Sequence, residues 1–415
     1  MNKPVKLILP NGLRVIAAEN RQTPYITVNT LYDIGSRDED PARTGFAHLF
    51  EHLMFGGSVN IPHYDIEAEK AGASNNAFTT YDFTNYYITV PAANLDTALW
   101  LESDRMLQLI FSEERLDVQR KVVCEEYKQR YLNQPYGDAF MLLMSLCYTV
   151  HPYRWPVIGK ELSHIETATL DDVRSFFFRY YAPNNAIVVL SGNADVQTLT
   201  SKAGEWFSSV PSREIALRNI PPEPLQNKRR ELTVERPVPA NSIYIAYKMS
   251  KRKNKAFYSA NLISDMLTRG NSSRLYRSLV SEKKIFNDIH SFVTATIDNG
   301  LLVISGQLPD GISFAAAEEA VNEQLNLLVS QGTEERELKK VINQNETELL
   351  QLLTNNTEYA VNLAFYELLG DAAMLFTEAD RYRSVTAGEI KSTAQELFQS
   401  SVCSVLNYKK IIESK

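Results

Sequence analysis

The sequence is poor in cysteine and has no long apolar run. Its 415 residues include three cysteines, Cys124, Cys147 and Cys403, which are odd in number and far apart. Neither a disulfide framework nor a Cys-type zinc cluster can be read from them, and a reducing compartment is favoured. No apolar stretch approaches the ~18 residues of a membrane span. We therefore expect no membrane association and a cytoplasmic location, or a periplasmic one if a signal peptide has been removed.

An excess of basic residues is also missing. Lys and Arg number 43 against 50 Asp and Glu, which gives a net charge of −7. A general nucleic-acid-binding or anionic membrane surface is therefore not expected. Hydrophobic residues make up 44% and charged residues 22% of the chain, which excludes disordered and low-complexity classes. At about 100–200 residues per domain, the length predicts two or three globular domains.

Strand and helix signals alternate along the chain and then recur. Strands rich in β-branched and aromatic residues are predicted over 25–34 and 84–91, and helical spacing is found over 95–110 and 112–131. The segment 211–228 contains four prolines and scattered charges, which is typical of an extended linker. After it the same order of elements returns, which suggests an internal repeat. The alternative is that any two α/β halves look alike.

The sharpest local feature is His48-Leu-Phe-Glu51-His52. On a helix, residues i and i+4 lie one turn apart on the same face, so both imidazoles can reach one ion, with Glu51 beside them. Two nitrogen donors and an open position suit Zn²⁺, and a nearby carboxylate can take a proton from water that attacks a carbonyl. Such a pattern is expected by chance about 0.01 times in this composition. The alternative is a pair of capped or solvated histidines.

A third metal ligand must come from elsewhere in the chain. The helical stretch that ends in Cys124-Glu125-Glu126 offers two adjacent carboxylates behind an apolar pair. Successive helix positions diverge by about 100°, so one carboxylate can face inward while the other faces solvent. The residues alone do not decide between Glu125 and Glu126, and two surface charges are the alternative.

The motifs together resemble those of the pitrilysin, insulin-degrading enzyme and mitochondrial processing peptidase family. His48–His52 is similar to the inverted zinc motif of the inverzincin metallopeptidases. The resemblance covers nearly the whole chain, including 45–57, 72–80, 82–87 and the Ser-Ser-Arg-Leu-Tyr run at 272–276. It implies an α+β fold of two homologous α/β-roll domains, each a mixed, mainly antiparallel sheet packed with helices. The implied ranges are 1–210 for a zinc-binding peptidase domain, 211–228 for the Pro-rich linker and 229–415 for a homologous domain without a metal motif.

The resemblance also implies roles for individual residues. It makes Glu126 the third zinc ligand beside His48 and His52, with one Zn²⁺ per chain, and makes Glu51 the general base. Substrates of this family bind as an added strand on an exposed sheet edge, which matches Asn76, Ala77, Phe78 and Thr79. Main-chain hydrogen bonds to such an edge provide affinity with little sequence preference. An ordinary turn and strand start is the alternative for Asn76.

Three positions depart from the family pattern. Gln119 replaces a second glutamate seven residues before the distal zinc ligand, from which we expect tuned rather than lost activity. An Arg/Tyr pair that grips substrate in active members falls on Val280 and Asn287 here. Such donors are often worth a few kcal/mol of transition-state stabilisation. The second half also has Asn261, Ser264 and Asp265 where the zinc motif would lie.

These features lead to one functional hypothesis and two alternatives. The leading hypothesis is a zinc metalloprotease, a hydrolase that cleaves peptides or unfolded short polypeptides inside a closed chamber. The chain would be the zinc-bearing subunit of a heterodimer, and a homologous partner would supply the Arg/Tyr pair. The first alternative is a non-catalytic scaffold or peptide-binding subunit. The second is an active homodimer that uses another cation or phenol.

Overall fold

The computed structural model describes residues 3–215 and 217–411. The predicted domain and linker ranges also contain residues 1, 2, 216 and 412–415, which lie outside the described residues. The strands are β1 (Val5–Ile8), β2 (Arg14–Glu19), β3 (Tyr25–Tyr32), β4 (Ser74–Thr79), β5 (Thr84–Pro91), β6 (Ala186–Gly192), β7 (Arg230–Arg236), β8 (Ser242–Lys248), β9 (Asp288–Val293), β10 (Leu301–Gln307) and β11 (Ser404–Lys410). The helices are α1 (Phe46–Leu53), α2 (Tyr64–Lys70), α3 (Leu95–Leu107), α4 (Glu113–Tyr127), α5 (Ala139–Cys147), α6 (Leu162–Glu166), α7 (Leu170–Tyr180), α8 (Val196–Phe207), α9 (Lys255–Thr268), α10 (Phe314–Gln331), α11 (Glu335–Thr354), α12 (Asn356–Leu368), α13 (Glu378–Arg383) and α14 (Ala387–Leu397).

The chain forms two compact units, each built on one mixed sheet. In the first unit the strand order is β1-β2-β6-β3-β5-β4, and in the second it is β7-β11-β8-β10-β9. The pair β2–β6 is parallel, as is its counterpart β7–β11, and the remaining pairs are antiparallel. Apart from β1, the two sheets have one topology. This confirms the predicted α+β class and the internal repeat.

Both sheets are built from strands whose composition explains their burial. All seven residues of β6 are buried, as expected for a β-branched run covered on both faces. In the second unit, β8 and β10 contribute Ile243, Ile245, Leu302 and Ile304 to a continuous apolar core. The helices pack their apolar sides onto these sheets. No helix among the described residues is long and apolar enough to cross a membrane.

The predicted division into two continuous domains needs correction. The first unit comprises residues up to Tyr127, Trp155–Ile220 and Leu350–Thr377, and the second comprises Lys128–Arg154, Pro221–Leu349 and the residues from Glu378 onward. Each unit therefore contains a segment from the other half of the sequence. The apolar period of a helix shows that one face is buried, but it does not show which sheet buries it.

Helix α12 illustrates why its segment belongs to the first unit. Its buried face consists of Tyr359, Ala360, Leu363 and Ala364, and the helix packs against β3 and β6. At its first residue, Asn356 donates from Nδ2 to the Ser191 carbonyl at 2.8 Å and to Thr27 Oγ1 at 3.0 Å. Asn356 Oδ1 accepts from Ser191 Oγ at 2.8 Å. Polar and apolar contacts thus hold α12 on this sheet.

We predict that Asn356→Ala destabilises the first unit by about 1–3 kcal/mol, because it leaves the buried hydroxyls of Thr27 and Ser191 without this partner. The measurement is the urea midpoint of unfolding followed by circular dichroism. Asn362→Ala is the matched control on the same helix, since its side-chain amide donates to the local Glu358 carbonyl and not to the sheet. Equal midpoints for the two variants would contradict the assigned role of Asn356.

Candidate metal centre

Helix α1 carries the motif of the candidate site. It is preceded by Gly45 in the left-handed region, at φ 93°. A Cβ at this position would lie 2.5 Å from the Ile158 carbonyl oxygen, so only glycine fits without a shift of the backbone. Phe46, Leu49 and Phe50 are buried, and they anchor the helix by its apolar face. The orientation of the metal-motif side chains is therefore determined by packing.

Glu39 caps the start of α1 from a distance in the sequence. Its Oε2 accepts from the Gly45 N–H and its Oε1 from the Ala47 N–H, both at 2.8 Å. These bonds satisfy backbone donors that a helix N-terminus leaves without partners. Burial raises the pKa of the Glu39 carboxyl to about 8, even though the backbone hydrogen bonds act in the opposite direction.

The two imidazoles of α1 meet one carboxylate of α4. His48 Nε2 lies 3.6 Å from Glu126 Oε1, and His52 Nε2 lies 3.3 Å from Glu126 Oε2. Their ring centroids are 5.0 Å apart. Glu125 is exposed, while Glu126 is partly buried. Of the two carboxylates that the sequence left open, Glu126 is the one that the fold brings to the histidines.

The three side chains form a donor set that suits Zn²⁺. One ligand atom from each of His48, His52 and Glu126 lies within 4.8 Å of the others. Zinc bonds of about 2.0–2.2 Å in a tetrahedron separate neighbouring donors by about 3.3–3.6 Å, so little rearrangement is needed. His48 is buried, while the side chains of His52 and Glu126 are 24% and 18% exposed. Two nitrogens, one oxygen and an accessible side fit a catalytic rather than a closed structural site.

Glu51 lies on the same helix and is held from the neighbouring strand. Thr79 Oγ1 donates to Glu51 Oε2 at 2.7 Å. Thr79 is the last residue of β4, and β4 is a terminal strand of its sheet. The candidate base, the candidate ligands and an unpaired sheet edge are thus close together within the first unit.

The predicted substrate-binding residues all lie on β4. Asn76 is exposed, Ala77 is buried, and both pair with β5, opposite Tyr87 and Tyr86. Asn76 Oδ1 accepts the N–H of Ala77 at 2.8 Å, so this amide satisfies a backbone donor of its own strand. The Phe78 ring packs edge-on against Phe83 at 5.9 Å.

The second unit repeats the arrangement without metal donors. Asn261 on α9 donates to Asn345 Oδ1 at 3.1 Å, and Asn345 on α11 donates to Asp265 Oδ2 at 2.6 Å. Ser264 and Ser291 share a hydrogen bond at 2.9 Å, where the first unit has Glu51 and Thr79. Asn261 and Asp265 stand in place of the two imidazoles, and the hydroxyl of Ser264 stands in place of the Glu51 carboxylate. Among residues 3–215 and 217–411, no second His, Cys, Asp and Glu group of this kind is found.

The positions that depart from the family pattern have ordinary structural environments. Val280 packs against the apolar core of the second unit, and Asn287 is exposed just before β9. Arg274 forms an ion pair with Glu337 and also donates to the Gly332 carbonyl. Gln119 is half-buried on α4.

Comparison with known proteins agrees with this geometry. Residues 14–160 match the family model for insulinase (peptidase family M16), and residues 167–345 match the model for the peptidase M16 inactive domain. The chain belongs to the M16 peptidase family. The inactive-domain model covers α9, with its amide cluster in place of a metal motif.

Individual relatives of this M16 chain extend over its whole length. The zinc protease PqqE of Helicobacter pylori is 29% identical over 96% of this chain and 91% of its own. The crystal structure of a protease from Helicobacter pylori superposes with a TM-score of 0.91 at 27% identity, covering 99% of this chain and all of the other. A chain of Complex III2 from Candida albicans shares the fold, with a TM-score of 0.82 at 16% identity over 99% of this chain and 96% of its own.

Two contacts at the site were not foreseen in the sequence. The Glu39 cap lies six residues before Gly45 and outside any local capping pattern, so no sequence signal identifies it. The bond from Thr79 to Glu51 crosses 28 positions. Thr79 was predicted on the substrate edge, but its hydroxyl is engaged with α1. Only the fold shows that β4 carries both the predicted substrate edge and the residue that contacts Glu51.

We predict that Glu39 makes unfolding depend on pH. Its pKa of about 8 in the fold exceeds the ordinary value, so the folded state retains a proton that the unfolded state releases. The stabilising contribution is full below pH ~4.5 and is lost as the pH rises through about 8. The free-energy difference between wild type and Glu39→Gln should fall by up to about 1.4 kcal/mol per pH unit in this window.

The measurement is urea unfolding from pH 5 to 9 in chelator, so that metal binding contributes nothing. A free-energy difference between wild type and Glu39→Gln that stays flat over this range would contradict the raised pKa of Glu39.

Proposed function

We propose that this chain is the zinc-bearing subunit of a metalloendopeptidase that hydrolyses peptides or unfolded short polypeptides inside a closed chamber. The observation that carries the proposal is the convergence of His48, His52 and Glu126, with Glu51 held beside them next to the edge strand β4. A scaffold needs no such set of donors. The relatives' names, which include a zinc protease, support the same class.

The residues divide the chemistry between them. His48, His52 and Glu126 hold the ion, which when bound supplies a Lewis acid that polarises a carbonyl and lowers the pKa of water. Glu51 takes a proton from the attacking water on a carboxylate oxygen and returns it to the leaving amine. Glu39 stabilises the start of α1, the helix that carries His48, Glu51 and His52, because it accepts hydrogen bonds from the N–H groups of its first turn.

The edge of β4 orients the substrate. An extended peptide that pairs with this strand gains main-chain hydrogen bonds, and residues 76–79 run toward the Thr79–Glu51 contact. To use the Ala77 N–H, the peptide must displace the Asn76 side chain from it. Asn76 Oδ1 therefore occupies the position that a backbone carbonyl oxygen of the substrate would take. Size exclusion by the chamber, rather than a deep pocket, selects unfolded chains.

The missing Arg/Tyr function supports a heterodimer. Val280 packs against a core and offers no hydrogen-bond donor, Asn287 lacks a phenol, and Arg274 is paired with Glu337. A homologous subunit that carries the pair would complete the site. A homodimer is the second arrangement, in which another cation or phenol serves.

A scaffold function is the alternative from a different class. It is favoured by the amide cluster of the second unit and by the fold shared with a Complex III2 chain. Purified protein without near-stoichiometric zinc would favour it over the peptidase.

We predict that Glu51→Gln lowers peptide cleavage by about 100- to 10,000-fold, because the general base is lost, while zinc remains bound. Glu126→Gln should lose most of the zinc, because the amide is a poorer ligand than the carboxylate. For each variant, zinc content is measured by elemental analysis, and cleavage is measured with a quenched fluorescent peptide. Glu125→Gln is the matched control one residue away and should retain both properties. Wild-type cleavage by Glu51→Gln would refute the mechanism.

We further predict that the lone chain cleaves peptides slowly and that a homologous subunit bearing the Arg/Tyr pair raises kcat by about 100- to 1,000-fold, the usual effect of a transition-state donor. The assay compares the purified chain with the co-expressed pair at equal zinc occupancy, together with its mass in solution. A lone chain that is dimeric and fully active would favour the homodimer instead.

A further inference from the structure

Thr79 occupies a position shared by two parts of the site. It ends the edge strand β4 and pairs there with Thr84 of β5. Its side chain donates from Oγ1 to Glu51 Oε2 at 2.7 Å. Thr79 therefore joins the strand that would hold a peptide to the carboxylate that would accept a proton.

We propose that Thr79 is a positioning residue that holds the Glu51 carboxylate in its working orientation. This inference rests on the proposed peptidase function and adds a residue to it. A hydrogen bond to an ionised acceptor is short and strong, and it ties one oxygen of the carboxylate to the strand. The plane of the carboxylate then has one favoured orientation. Without the hydroxyl, the glutamate side chain can sample other rotamers.

Threonine suits this task better than a flexible donor. Its β-branched side chain has few accessible χ1 rotamers, and its backbone is paired in the sheet. The hydroxyl is thus presented from a rigid support, as the positioning of a catalytic group requires. A peptide added to β4 would stiffen the same strand, so substrate binding and base orientation are linked mechanically.

The second unit provides an internal comparison. Ser264 on α9 and Ser291 on β9 make a hydrogen bond at 2.9 Å, which also joins a helix to an edge strand. Ser264 stands where the first unit has Glu51, so this bond joins two hydroxyls and orients no carboxylate. If the Thr79–Glu51 hydrogen bond were also purely structural, removing it would lower stability without changing kcat, as is expected for the Ser264–Ser291 bond.

The test compares Thr79→Val, which keeps the shape and removes the donor, with Thr79→Ser, which retains the donor. It uses the full zinc-loaded chain, and the substrate is a quenched fluorescent peptide. We expect Thr79→Val to lower kcat by about 10- to 100-fold, the effect of misplacing a reacting group. KM and zinc content should change less than threefold, and Thr79→Ser should recover kcat to within about threefold of wild type. Ser291→Ala is the matched control and should lower the melting temperature without changing kcat.

Several outcomes would overturn the inference. Wild-type kcat in Thr79→Val, a change confined to KM, or a loss of zinc would each assign Thr79 another role. Crystal structures of the two variants provide a readout independent of activity. The Glu51 carboxylate should leave its orientation in Thr79→Val and retain it in Thr79→Ser, and an unchanged orientation in Thr79→Val would also refute the proposal. Failure of the peptidase function itself would appear separately, as wild-type cleavage by Glu51→Gln.

Discussion

The distance between α1 and α4 is the constraint on which the site depends. Two imidazoles one turn apart define a small volume, and a carboxylate must enter it from another helix. Glu126 does so at 3.3 and 3.6 Å from the two Nε2 atoms. The buried face of α1, the unusual backbone at Gly45 and the cap from Glu39 all maintain this distance.

Much of this site could be predicted from the sequence, because its key spacing is local. The i, i+4 relation of His48 and His52 needs only a helix, and the candidates for the third ligand lie on another predicted helix. The choice between Glu125 and Glu126 could not be made from spacing, since it depends on how α4 is rotated against α1. The Glu39 cap and the Thr79 contact depend on tertiary approach, which no local pattern contains.

The fold shows the same division between local and non-local information. Strand β5 coincides with its predicted range, while the helix predicted over 112–131 ends at Tyr127 and continues as a wider turn over Lys128–Leu132. The repeat was visible in element order, and the strand orders of the two sheets confirm it. The exchange of segments was not visible, because α12 has an ordinary amphipathic sequence whose partner sheet lies in the other half of the chain. In the second unit, a hydrogen-bonded cluster of Asn261, Asn345 and Asp265 joins α9 to α11 where the first unit has metal donors.

The exchange of segments limits how this chain can be divided. A fragment that ends in the linker contains the whole metal motif but lacks Leu350–Thr377, and with it the helix that covers β3 and β6. Such a fragment would expose the buried apolar strands of its own sheet to water, and exposed strands of this kind promote aggregation. A cut at the boundary suggested by the repeat therefore separates each sheet from a segment that packs in its own unit. Each sheet needs residues from both halves of the sequence to be covered.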